Sequence, residues 1–152
     1  MSTTALEQQL TVLARRLSRP VRVHGPSGWT LLDRPAYQAL WRIVEEGPLR
    51  PTALSGLLDV DLSVVSRQIR SLEDGGFVSR TPDPADARAT LISATTTGRE
   101  AFEAIAQRRT EVLAEVLVDW PEQDVAEFGR MLTRFNLELE DVVARRQAAG
   151  GA

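Results

Sequence analysis

The stretch from Pro51 to Ser93 constrains this chain more than any other, because its punctuation leaves few supersecondary structures open. A short apolar segment, Pro51 to Leu58, carries Leu54, Leu57 and Leu58 at positions expected to point inward. Asp59-Val60-Asp61 then reads as a tight turn, and Asp61 stands where the next helix needs an N-cap. That helix is expected over Leu62 to Asp74, with Gly75-Gly76 providing a left-handed exit after its last turn. Two short helices so close together imply a helix-turn-helix. The β-favourable runs Phe77 to Arg80 and Ala89 to Ser93 follow, with Thr81 to Arg88, holding two prolines among acids, as the hairpin loop between them. A helix-turn-helix followed by a two-stranded hairpin is a winged helix.

Around this centre the chain is expected to be helical. Leu6, Leu10, Leu13 and Leu17 form a stripe on one face of a first helix over residues 4 to 18. Pro20 to Gly28, with two Pro and two Gly around the sole His, reads as a loop. A second helix fits Asp33 to Glu46, capped by Asp33, with Tyr37, Leu40, Trp41 and Val44 as its apolar side and Trp41 in the core. Thr95 to Thr97 offer caps for a long helix reaching about Asp119, with Phe102, Ile105, Val112, Leu113, Val116 and Leu117 at helical spacing. Pro121 suits the first turn of a last helix, whose stripe is Val125, Phe128, Met131, Leu132, Phe135, Leu139 and Val142. That helix is expected to end in Arg145-Arg146, which suit a helix C-terminus, before Gly150-Gly151. The fold class expected is mainly α with a small two-stranded β-hairpin.

At 152 residues the chain fits one domain, or a domain with an oligomerising extension, and can bury a sizeable core. No apolar run approaches the length of a membrane span, and Glu7 interrupts the segment a signal peptide would need, so a cytoplasmic protein is expected. The absence of Cys removes disulfides, thiolate metal sites, thiol catalysis and cysteine redox sensing. One His and no Cys would leave only an all-carboxylate metal site, for which no convergent spacing exists; no metal and no cofactor are expected. A hydrolase or transferase would need a nucleophile with an activating base, yet His24 is the sole imidazole. Neither a Gly-x-Ser-x-Gly elbow nor a glycine-rich phosphate loop is present, so no catalytic residues are assigned.

All 18 basic residues are Arg, against 21 acids, for a net charge of −3. That balance argues against a protein that coats polyanions indiscriminately. The placement of individual Arg residues therefore carries the question, since a guanidinium makes planar, bidentate contacts to guanine and phosphate. On a helical wheel with Ser63 at the origin, Arg67 falls at about 40°, Arg70 at about −20°, Ser66 at about −60° and Ser71 at about 80°. Leu62, Val65, Ile69 and Leu72 lie opposite. The outward face, short hydroxyls around two guanidiniums, suits a major groove, although a solvated face of an ordinary amphipathic helix has the same pattern. Asp61 counts mildly against a deep phosphate approach at the helix N-terminus.

Three runs in order carry a family resemblance: Val60 to Arg80 (VDLSVVSRQIRSLEDGGFVSR), Asp83 to Ala89 (DPADARA) and Thr95 to Gly98 (TTTG). Together they resemble the MarR family of bacterial winged-helix regulators. The resemblance implies a DNA-binding regulator, more often a repressor, that grips a pseudo-palindromic operator as a homodimer. It implies dimerisation helices at residues 1–20 and 95–148, and a winged helix-turn-helix at residues 30–94. The recognition helix would enter the major groove and the wing tip the adjacent minor groove. Carried over by position, Ser63, Ser66, Arg67 and Arg70 fall on the recognition helix, and Asp86 with Arg88 on the wing motif. A narrow minor groove concentrates negative potential that a single inserted Arg reads well. Asp86 would hold either the Arg88 guanidinium or the hairpin in pose. Arg80 and Arg50 stand where either phosphate contacts or solvated charges would.

From Arg50 to Ala89 there are five Arg (50, 67, 70, 80, 88) and six acids (59, 61, 73, 74, 83, 86), a net of −1. Affinity would have to come from placement, with a shallow dependence on salt. The resemblance also implies that, as in many members, DNA is released when a small, often aromatic or phenolic, anionic ligand binds between the dimerisation helices and the winged region. Arg16, His24, Trp29, Tyr37 and Trp41, with Arg15, are the residues this implies here. Arg15 and Arg16 are adjacent and cannot both face one ligand. A different outcome, a winged helix that serves protein interaction or dimerisation without binding DNA, is favoured by the net acidity and opposed by Arg88 and the Ser/Arg face.

Overall fold

The computed structural model describes residues 2–17, 19–26 and 28–150. In chain order the elements are α1 (Thr3–Leu17), β1 (Val21–Gly25), β2 (Gly28–Leu32), α2 (Arg34–Glu46), α3 (Pro51–Leu58), α4 (Leu62–Asp74), β3 (Val78–Asp83), β4 (Asp86–Ala94), α5 (Thr96–Leu117) and α6 (Glu122–Gly150). Two units are distinguished, Met1–Arg108 and Arg109–Ala152. The side chain of Leu17, placed in the first apolar stripe, and Gly151 lie outside the described residues.

The first unit is built around α4. Val65, Ile69 and Leu72 are fully buried, and they meet Leu40 and Ile43 of α2, Leu54 of α3, Phe77, and Ile92 of β4 in one core. Each such side chain contributes about 1.5–3 kcal/mol relative to exposure, so the inward face of α4 fixes which residues face out. Leu62 and Leu57, expected inward, are exposed at the edges of this packing. The turn into α4 follows the expected plan with one change. Asp59 takes the left-handed conformation at φ 52°, and its N–H donates to the Gly56 carbonyl at 3.4 Å. Asp61 sits at the N-cap position with extended backbone, but its side chain makes no cap bond. The carbonyl of Asp61 instead accepts the N–H groups of Val64 and Val65 at 3.0 and 3.1 Å. At the other end Gly76, at φ 72°, provides the left-handed exit, whereas Gly75 is still right-handed.

The wing is longer than its sequence suggests. β3 and β4 pair antiparallel from Val78↔Ala94 out to Asp83↔Asp86, leaving only Pro84 and Ala85 to turn the chain. The expected loop from Thr81 to Arg88 is therefore mostly strand, because the ladder continues through Thr81↔Leu91 and Pro82↔Thr90. A single bridge between Leu49 and Ile92 lays the segment before α3 against β4.

A second hairpin replaces the loop expected over residues 20–28. β1 and β2 pair from Val21↔Leu32 to Gly25↔Gly28. Val23, Gly25 and Leu32 are buried, while Arg22, His24, Trp29 and Leu31 face out. Gly25 is required there, since a Cβ would lie 2.7 Å from the Gly75 carbonyl oxygen. α2 begins as expected, with Asp33 accepting the Ala36 N–H at 2.8 Å. Its buried side is Ala36, Ala39, Leu40 and Ile43, which turns Trp41 outward rather than into the core.

Thr95 stands just before α5, and its hydroxyl accepts the Gly98 N–H at 3.0 Å and donates to the Gly76 carbonyl at 2.7 Å. In the second unit Pro121 stands just before α6, and its carbonyl accepts the N–H groups of Asp124 and Val125. Phe128, Met131, Leu132, Phe135, Leu139 and Val142 of α6 are exposed, as are Val112, Leu113 and Val116 of α5. No helix among the described residues is long and apolar enough to cross a membrane.

Candidate nucleic-acid interface

The outward face of α4 carries Ser63, Ser66, Arg67, Arg70 and Ser71, all exposed. Its apolar partners are fully buried, so the helix cannot rotate this face away without emptying the core. Neither Arg67 nor Arg70 has an acidic partner among the described residues. Arg88 lies exposed on β4, three residues beyond the wing turn, and is likewise without an acidic partner among the described residues. The arrangement presents two guanidiniums on a helix face and one on the hairpin, all carried by elements of the same core.

The remaining two Arg residues of this segment are engaged within the protein. Arg80 grips Glu73 in a fork, Nε to Oε1 at 2.7 Å and Nη2 to Oε2 at 3.0 Å, tying the base of the wing to the last turn of α4. Such an exposed pair contributes about 1 kcal/mol at most. Arg50 places Nε and Nη2 each 2.6 Å from Oδ2 of Asp83. The Ala85 N–H, donating to Oδ1 at 2.8 Å, and the Arg50 guanidinium hold the Asp83 carboxyl below its ordinary value of 3.8. Asp83 therefore stays charged throughout the neutral range. Arg50 and Arg80, expected as phosphate contacts or solvated charges, each pair with a carboxylate of the same unit while staying partly exposed. Asp86 does not hold the Arg88 guanidinium: its Oδ1 accepts the Arg88 backbone N–H at 3.1 Å, while Oδ2 lies 3.8 Å from Arg50 Nη1. Asp83 and Glu73 were the members of this network missed in the sequence, because their partners lie 33 and 7 residues away.

The residues considered for ligand binding are only partly brought together. The β1–β2 hairpin sets the rings of His24 and Trp29 edge to face at 5.4 Å, with Arg22 also 5.4 Å over the Trp29 ring. His24 thus lies on a strand, not in a loop. Tyr37 stacks on Phe102 of α5 at 6.1 Å. Trp41 is covered on one side by the neighbouring Arg42 guanidinium, 4.5 Å from its ring centre. Arg16 lies on the exposed side of α1.

With the helix-turn-helix and wing in place, comparison with known proteins decides the family. The chain is 32% identical over 136 residues to the HTH-type transcriptional regulator YxaD of Bacillus subtilis, covering 90% of this chain and 94% of that one. The MarR family model matches residues 32–90. The chain belongs to the MarR family. Among solved structures, the transcriptional regulator Tm0710 of Thermotoga maritima is 32% identical, with a TM-score of 0.56 over 73% of this chain and 78% of that one. FabT of Streptococcus pneumoniae, solved in complex with DNA, shares the fold at 22% identity, with a TM-score of 0.63 over 73% of this chain and 78% of that one. Membership of MarR makes the protein a helix-turn-helix transcriptional regulator and not an enzyme.

Proposed function

We propose that this MarR-family regulator acts as a repressor, binding a pseudo-palindromic operator as a homodimer through α4 in the major groove and Arg88 in the minor groove. The observation that carries the reading is that Arg67, Arg70 and Arg88 are exposed and have no acidic partner among the described residues, whereas Arg50 and Arg80 of the same segment pair with Asp83 and Glu73. Exposed guanidiniums at these three positions are what groove contact requires of a chain that is acidic overall. FabT, a protein of the same fold, was solved in complex with DNA, which supports DNA as the partner. The exposed apolar faces of α1, α5 and α6 supply the surface for a second copy. Release by a small aromatic acid is the regulatory half of the reading, and the outward His24–Trp29 ring pair beside Arg22 offers aromatic and cationic contacts for one.

The test is operator affinity at fixed salt. Arg70→Ala is expected to cost about 1–3 kcal/mol and relax base preference at one position, and Arg88→Ala to weaken binding with the dimer intact. The logarithmic salt slope should be shallow, since each neutralised phosphate adds only about 0.9. Unchanged affinity in both variants would remove the groove assignments. Absence of any shift at low salt across the DNA flanking the gene would favour an interaction module instead.

A further inference from the structure

The wing contains an electrostatic problem that Arg50 resolves. Asp83 and Asp86 are direct cross-strand partners at the tip of the β3–β4 ladder, a pairing of like charges that is destabilising by itself. Each carboxylate is also structural. Asp83 accepts the Ala85 N–H and Asp86 the Arg88 N–H, so between them they shape the turn and the strand that carries Arg88. Both have a second oxygen or edge turned to one cation, Arg50, at 2.6 and 3.8 Å. Asp83 is only 8% exposed, so its charge would be costly without a partner.

The backbone explains why residue 50 reaches this place. Leu49 exchanges both hydrogen bonds with Ile92 of β4, at 3.0 and 2.8 Å, which brings the next residue alongside the wing. Pro51 then holds Arg50 in extended geometry, φ −69° and ψ 146°, at the N-cap of α3. The guanidinium thus leaves the first helix of the reading head and anchors the wing tip.

We propose that Arg50 is the positioning residue of the wing: it neutralises the Asp83–Asp86 pair and ties it to α3, so that Arg88 is presented to DNA at a fixed distance from α4. This rests on the reading of Arg88 as the minor-groove contact. It assigns Arg50 no phosphate of its own, and it gives Asp83 a favourable role in DNA binding although Asp83 is an acid.

A double-mutant cycle on operator affinity separates the alternatives. Arg50→Ala in the otherwise unaltered dimer is expected to weaken binding about tenfold, and the same change in an Arg88→Ala background to add less than about twofold. Asp83→Asn, which keeps an oxygen for the Ala85 N–H but removes the charge, should also weaken binding. Thermal melts of each variant accompany the cycle; a purely structural ion pair would lower the melting midpoint and leave the two affinity losses multiplicative. Multiplicative losses, or tighter binding by the Asp83→Asn variant, would overturn the proposal. Should Arg88→Ala itself leave affinity unchanged, the minor-groove reading falls first, and the positioning role falls with it.

Discussion

Replacing Gly98 by Ala is expected to destabilise the protein by about 3 kcal/mol, among the larger effects a single methyl group produces. The residue is buried in the first turn of α5, where a Cβ would lie 2.0 Å from the carbonyl oxygen of Phe77 and 2.9 Å from its carbonyl carbon. Those are backbone atoms, and they are held in place. The Phe77 carbonyl accepts the Thr95 N–H at 3.0 Å, and the fully buried Phe77 ring stands in the centre of the core. Thr95 in turn ties α5 to the Gly76 carbonyl while capping Gly98. Moving α5 outward to admit the methyl group would break this cap and unseat the start of β3 together. Chemical or thermal denaturation reads the effect, with a fall in midpoint of roughly 10 °C for a chain of this size. A loss below about 1 kcal/mol would mean that α5 can slide on β3, contrary to the packing described.

The second large effect concerns α6. If the chain pairs through α6 as proposed, Phe135→Glu is expected to convert that dimer to monomers and to reduce operator affinity by about a hundredfold or more, because two half-site contacts would no longer be linked. Phe135 lies in the stripe Phe128, Met131, Leu132, Phe135, Leu139 and Val142, which a single protomer leaves exposed. In a two-fold interface the change is felt twice, and a carboxylate buried there without a cation is strongly unfavourable. Sedimentation at several concentrations measures the first outcome and a gel shift the second. A dimer that survives the substitution would place the interface elsewhere.

Much of the reading head was legible in the sequence because its signals are local. The α4 wheel separates Val65, Ile69 and Leu72 from Ser66, Arg67 and Arg70 by simple geometry, and Asp33 and Gly76 act through bonds spanning a few residues. The β1–β2 hairpin was hidden for a physical reason. Its inward face is Val21, Val23 and Gly25, so the alternation is two residues long before a glycine ends it, and Pro20, Gly25, Pro26 and Gly28 look like breakers. On α2 the large Tyr37 and Trp41 suggested one face, whereas close packing selected the side where Ala36 and Ala39 let helices approach. The ion pairs of Arg50 and Arg80 were beyond local pattern. They depend on a hairpin register and on a bridge at Leu49 that bring distant residues together.

The central claim, sequence-specific reading of DNA by a two-fold pair of α4 helices and wings, is tested most directly by selecting binding sites from random duplexes with the full-length protein at low salt. Enrichment of a pseudo-palindrome whose half-sites are centred about one helical turn apart, roughly 34–36 Å, is expected, with a variant carrying Arg67→Ala and Arg70→Ala failing to enrich it. Enrichment of no sequence by the unaltered protein, or of the same sequence by both proteins, would contradict it.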